Sequence, residues 1–132
     1  MDGIRKIEMK GKFSRDDRGW VFFPLGTIEG EGAVNRNFHT VSLKPGAVRG
    51  NHRHEAASEW LLFCGGPATL AWRTRDGGES GEIHVGGEDP ELYHVPAGVE
   101  HAVKNISSRE IYLVVFQDRP EFETVRCGPL LR

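Results

Sequence analysis

Glycine and proline punctuate this sequence into short runs rich in valine, isoleucine, leucine, threonine and aromatic residues, and that spacing constrains the fold more than any other feature. With 17 glycines and 7 prolines in 132 residues, no stretch sustains the three-to-four-residue apolar spacing of a helix. The runs read as strands over 20–23, 38–43, 50–54, 59–64, 68–75, 82–85, 92–95, 101–105, 111–116 and 123–127. Several alternate with period two. Leu70 and Trp72 oppose Thr69, Ala71 and Arg73, while Ile111, Leu113 and Val115 oppose Tyr112, Val114 and Phe116. The 111–116 run is apolar on both faces, which predicts a central strand. Lys44-Pro45-Gly46 and Asp76-Gly77-Gly78 are turn signals, and Gly65-Gly66-Pro67 ends the 59–64 run. The expected class is all-β, a closed barrel or two packed sheets, with no internal repeat and no low-complexity tract.

A chain of this length fits a single domain, 1–132, with a core over about 38–116 and an N-terminal arm or extra strands in 1–37. Lys plus Arg number 17 and Asp plus Glu 19, so there is no basic footprint for nucleic acid. No apolar run approaches the ~20 residues that span a bilayer, and a cytoplasmic, soluble protein without a membrane partner is expected. Cys64 and Cys127 lie in apolar segments and read as small buried hydrophobes, with no disulfide needed.

Chemistry concentrates in four residues. His52 and His54 stand two apart, so on a strand both imidazoles leave one face. Glu59 follows after Ala56-Ala57-Ser58, a turn that lets an antiparallel strand bring its carboxylate back to the pair. His101, from a later segment opened by Pro96-Ala97-Gly98, would complete three imidazoles and one carboxylate. Each residue alone is commonplace on a protein surface. Together they suit one divalent transition ion with positions left open for water or substrate, and the ligand types admit manganese (Mn), iron (Fe), cobalt (Co), nickel (Ni), copper (Cu) or zinc (Zn).

Gly46, His52, His54, Glu59 and Gly66 reproduce the spacing of the first cupin motif, and Pro96, Gly98, His101 and Asn105 that of the second. Over about 38–116 the sequence therefore resembles the cupin superfamily. The second motif departs in one place, carrying Pro90 where it ordinarily begins with glycine, with Gly86 and Gly87 just upstream. The resemblance implies a double-stranded β-helix, or jelly-roll barrel, with His52, His54, Glu59 and His101 as metal ligands and a homodimer as the assembly.

Two shorter segments point to a ligand. Arg49-Gly50-Asn51-His52 is similar to the Arg-Gly-x-His segment of cupins acting on nucleotide-activated sugars, and Asp17-Arg18-Gly19-Trp20 to a segment of the deoxysugar 3,5-epimerases. Arg49, Arg18 and Arg53 could then pair with diphosphate oxygens, and Trp72 or Trp20 stack on a sugar or base. Trp60 follows the metal carboxylate directly, so it should face the other side of its strand, into core. In those epimerases the histidine matching His52 is the general base, a role that a metal-bound imidazole cannot fill. Acid–base work would pass to His39, His94, Tyr93 or Tyr112. The functions this leaves are a metal-dependent isomerase or epimerase of a nucleotide sugar or small carbonyl or polyol compound, an iron-dependent dioxygenase, and a non-catalytic module that binds or senses a small molecule.

Overall fold

The computed structural model describes residues 2–9, 11–27, 37–119 and 123–132; residues 28–36 of the expected arm lie outside the described residues. Among the described residues, twelve strands run in chain order: β1 (Arg5–Lys6), β2 (Phe13–Asp16), β3 (Gly19–Phe22), β4 (Asn37–Leu43), β5 (Val48–His54), β6 (Glu59–Cys64), β7 (Ala68–Arg73), β8 (Ser80–Val85), β9 (Glu91–Val95), β10 (Glu100–Asn105), β11 (Ile111–Gln117) and β12 (Thr124–Arg126). One short 3-10 turn, Pro24–Gly26, follows β3.

Two five-stranded antiparallel sheets, ordered β1-β9-β6-β11-β4 and β12-β5-β10-β7-β8, pack face to face, and β2 and β3 form a separate hairpin. The arrangement is the cupin-type jelly roll. Strand β11 lies between β6 and β4, as its two apolar faces predict. Its inward Ile111, Leu113 and Val115 join Leu61, Phe63 and Leu70 in the core between the sheets. Its outward Phe116 joins Trp60, Leu62 and Leu92 in a second cluster that Ile7, just beyond β1, helps to cover. Trp60 is thus core, on the side of β6 opposite Glu59.

The motif residues that are not candidate ligands organise the turns. Asn105 is fully buried and donates through Nδ2 to the carbonyls of Leu43 and Arg109, both at 2.8 Å, while its Oδ1 accepts from the Ser107 amide and hydroxyl. The Gly46 amide donates to the Asn105 carbonyl at 2.9 Å, and the Gly98 amide to the carbonyl of His54 at 2.7 Å. These bonds tie the turn before β5 to the end of β10 and the turn before β10 to the end of β5, holding the two histidine-bearing strands in register.

Candidate metal centre

His52 and His54 lie on β5, and His101 on β10 pairs directly with His52 across the sheet. The facing sheet supplies Glu59 at the start of β6. The ring centroids of His52 and His54, and of His52 and His101, are 4.9 Å apart, and one donor atom from each of the three histidines falls within 4.8 Å of the others. Glu59 bridges the cluster: Oε2 lies 3.3 Å from His54 Nε2, and Oε1 3.3 Å from His101 Nε2. Glu59 and His101 are each only 4% exposed.

Local chemistry decides what this arrangement can hold. The Val99 carbonyl lies 3.1 Å from His101 Nδ1, and because a carbonyl can only accept, the ring proton sits on Nδ1. A neutral His101 therefore turns its Nε2 lone pair toward a carboxylate oxygen, a contact that needs positive charge between the two atoms. A proton or a cation can supply it. Metal–ligand bonds of about 2.0–2.1 Å spread tetrahedrally set ligand atoms about 3.3 Å apart; each carboxylate–imidazole separation has that length, through a different oxygen of Glu59, while the three histidine donor atoms lie within 4.8 Å of one another. The donor set thus fits a divalent transition ion.

The electrostatics agree. Burial, followed by the charges of His101 and His54, lowers His52 from its usual 6.5 to about 4, so its ring is neutral and one ring nitrogen has its lone pair available at neutral pH. Burial pushes the Glu59 carboxyl up, but hydrogen bonds and charge from His101 and His54 outweigh it and hold the group ionised, well below the ordinary carboxylate range.

The cluster opens into a cavity of about 490 Å³ between the sheets. Val41, Leu61, Val103, Leu113 and Val115 line its walls; His39, Arg49, Gln117 and Thr124 add polar groups. His39 shares the inward face of β4 with Val41 and Leu43, so it reaches the cavity as the alternation predicts.

Other candidate residues lie elsewhere. Tyr93 is 3% exposed, packs edge-on against Phe63 and donates its hydroxyl to Glu91 Oε1 at 2.6 Å; burial and that carboxylate hold the hydroxyl above its ordinary range. Tyr112 points out from β11 and is 53% exposed. Neither lines the cavity. His94 is on the outer face of the same sheet, against Trp60.

Among the expected ligand-binding residues, Arg49 lines the cavity and four do not. Arg18 sits in the β2–β3 turn, 86% exposed and paired with Asp16 at 2.6 Å, and Trp20 lies on that hairpin against Phe13. Arg53 alternates with His52 and His54, so it leaves the other face of β5 and pairs with Glu55 and Glu100. Trp72 packs on the inter-sheet core, and Gly3 lies so close to its ring that an added Cβ would clash with it. Gln117 and Thr124 line the cavity although no sequence motif singles them out. Gln117 was foreseeable, since it continues the inward Leu113, Val115 series.

Fold and cavity together define a cupin-type jelly roll with a histidine-rich centre. The chain belongs to the family described as the polysaccharide biosynthesis C-terminal domain, whose profile matches residues 14–125. No curated protein sequence matches significantly. Among solved structures, the chain is similar to a dTDP sugar isomerase from Desulfovibrio desulfuricans, with a TM-score of 0.76 and 13% identity over 96% of this chain and 85% of that one. It is similar to QdtA, a sugar 3,4-ketoisomerase from Thermoanaerobacterium thermosaccharolyticum in complex with TDP, with a TM-score of 0.65 and 16% identity over 89% and 82%. It is also similar to the capsular polysaccharide assembling protein CapF from Staphylococcus aureus, with a TM-score of 0.64 and 23% identity over 70% of this chain. The match spans only 28% of CapF.

Proposed function

We propose that the protein is an isomerase or epimerase of a nucleotide-linked keto sugar and holds one divalent transition ion on His52, His54, His101 and Glu59. The observation that carries this reading is the convergence of those four side chains on an open cavity that also contains His39. The likeness to QdtA supports it, since a QdtA variant was solved with TDP-4-keto-6-deoxyglucose.

When bound, an ion at this centre supplies Lewis-acid polarisation of a sugar carbonyl or hydroxyl oxygen. Isomerisation next to a carbonyl needs a group that removes a proton from one carbon and returns it to another position. His39 is suited to that proton transfer because it lines the cavity but stands outside the cluster, so its ring nitrogens stay available. Val41, Leu61, Leu113 and Val115 exclude water around the sugar, and Arg49 at the mouth pairs with an anionic group. That arginine favours a phosphorylated substrate, and hence the sugar-nucleotide reading over an iron-dependent dioxygenase.

The test has two parts. Natively purified protein should contain about one transition ion per chain, falling sharply in His54→Ala; a metal-free native protein refutes the metal assignment. Incubation with TDP-4-keto-6-deoxyglucose in deuterated water should exchange a proton next to the carbonyl, followed by NMR, and His39→Asn should abolish the exchange. Neither exchange nor calorimetric binding across a panel of nucleoside-diphosphate keto sugars would sink the isomerase reading.

A further inference from the structure

A second groove, of about 540 Å³, adjoins the histidine cavity, and Arg49, Gly50 and His52 line both. Its other walls include Asn51, Arg126 and Arg132. Arg126 on β12 is the cross-strand partner of His52, so it stands beside the candidate metal centre. Arg49 is anchored through Nε to the Ser42 carbonyl at 2.8 Å, which leaves its two terminal amino groups outside that bond.

Three arginines without a carboxylate partner among the described residues meet around this one groove. Arg15, Arg18, Arg53, Arg73 and Arg75 each sit against a carboxylate. Among the described residues, no carboxylate lies within ion-pair distance of Arg49, Arg126 or Arg132. Three guanidinium groups around one concavity repel each other unless an anion joins them.

The segment that carries two of them is fastened in place. Asn51, between Gly50 and His52, has a left-handed backbone (φ +56°), the conformation that asparagine tolerates best after glycine. Its Oδ1 accepts from the amides of Leu130 at 2.8 Å and Leu131 at 3.2 Å, and its Nδ2 donates to the Leu131 carbonyl at 3.1 Å. Its backbone carbonyl accepts from the Cys127 amide at 2.9 Å, and Lys104 Nζ donates to the Arg132 carbonyl at 2.9 Å. One residue of the histidine motif thus clamps residues 127–131 beside the cavity mouth.

We propose that Arg49, Arg126 and Arg132 form a diphosphate-binding site at the mouth of the histidine cavity, assembled by the Asn51 clamp. The site deepens the nucleotide-sugar reading and rests on it for the identity of the ligand: the diphosphate lies among the arginines, with the sugar directed inward to the histidines. Guanidinium groups suit this ligand because each can give paired hydrogen bonds to phosphate oxygens.

Calorimetric titration at fixed ionic strength with thymidine diphosphate, thymidine and inorganic pyrophosphate tests it, on the wild-type protein and on Arg126→Ala, Arg132→Ala, Arg126→Lys and Arg109→Ala. Thymidine diphosphate should bind roughly 10- to 100-fold more weakly to Arg126→Ala and Arg132→Ala, as expected for loss of a charge-assisted bond. Arg126→Lys should recover part of the loss, and Arg109→Ala, on an exposed turn, should bind like wild type. Arg126 and Arg132 are both exposed, so unchanged melting temperatures should accompany the weakened binding. Equal affinity for thymidine diphosphate in wild type and both alanine variants overturns the site and leaves the nucleotide-sugar reading standing. Arginine-dependent binding of pyrophosphate, with no nucleoside diphosphate or its keto sugar bound by wild type, supports the anion site and refutes the nucleotide-sugar reading. Binding of neither by wild type overturns both.

Discussion

Gln117 and Glu59 face each other across the β6–β11 ladder, and the Gln117 amide donates to Glu59 Oε2 at 2.8 Å with both residues buried. The amide fixes the plane of the one carboxylate in the candidate metal centre, and the same oxygen lies 3.3 Å from His54 Nε2. Outer partners of this kind orient a metal ligand without touching the ion, and losing one typically costs about 10- to 100-fold in metal affinity. Gln117→Leu should therefore bind its metal that much more weakly in a competition assay with a chelator, while circular dichroism reports an unchanged fold. Wild-type metal affinity in Gln117→Leu would remove Gln117 from the site.

Gly50 governs how closely β5 approaches β10 at the histidines. Its φ is +99°, and a Cβ there would lie 2.7 Å from the His101 carbonyl oxygen and 3.0 Å from Ala102 Cα, where the strand register shifts. Both contacts are backbone, so no side chain can swing away. Gly50→Ala should push His101 from His52 and lose metal. Gly77→Ala separates this effect from backbone strain alone: Gly77 has φ +75° with nothing within 4 Å of the added Cβ. Both variants should lose about 1–3 kcal/mol of stability through strain, but only Gly50→Ala should lose bound metal on elemental analysis.

The strands were legible in the sequence wherever apolar residues alternate between turn residues, because that pattern follows from the two-residue repeat of the backbone itself. Ile111 to Gln117 illustrates it: the alternation gave both the inward face and the central position. Strands β1 and β2 were not legible, since Arg5–Lys6 is short, polar and exposed, and Phe13–Asp16 has one apolar residue. His52 and His54 were legible because residues two apart on one strand share a face; Glu59 reaches them not by the expected antiparallel return beside β5 but from the facing sheet, where β6 pairs with β9 and β11. Arg126 was not legible, because nothing local announces that residue 126 will stand opposite residue 52; that depends on how the last strand registers against β5. Arg18 shows the converse. Its segment resembles a ligand-binding one, yet the hairpin that carries it pairs the guanidinium with Asp16 and leaves it in solvent.

Phe63 reports on the core below the cavity. It is fully buried on the inward face of β6 and meets the Tyr93 ring edge-on, with centroids 5.8 Å apart. The walls around it are strands of both sheets and cannot collapse far, so truncation leaves a void. Phe63→Ala should lower unfolding free energy by about 3–5 kcal/mol, read as a lower urea midpoint at unchanged slope. A loss below about 1 kcal/mol would show that the two sheets can close over the gap, contrary to the close-packed interior expected of such a fold.

His94 links acid sensitivity to the outer cluster. Its ring lies 4.8 Å from that of Trp60, and its pKa is lowered from the usual 6.5 first by burial and then by the charge of Arg5 on the neighbouring strand; Asp118 acts in the opposite sense. The folded protein therefore resists a proton that the unfolded chain takes up near pH 6.5. Stability from a neutral His94 is complete above that pH and is lost as the pH falls below it. His52, also lowered by burial, adds to the same trend, so the informative quantity is the difference between wild type and His94→Gln, both measured with metal removed. From pH 7.5 to 5.0 the wild-type melting temperature should fall more steeply than that of His94→Gln. Parallel curves would show that the folded and unfolded states protonate His94 alike, and that burial against Trp60 does not disfavour the charged ring.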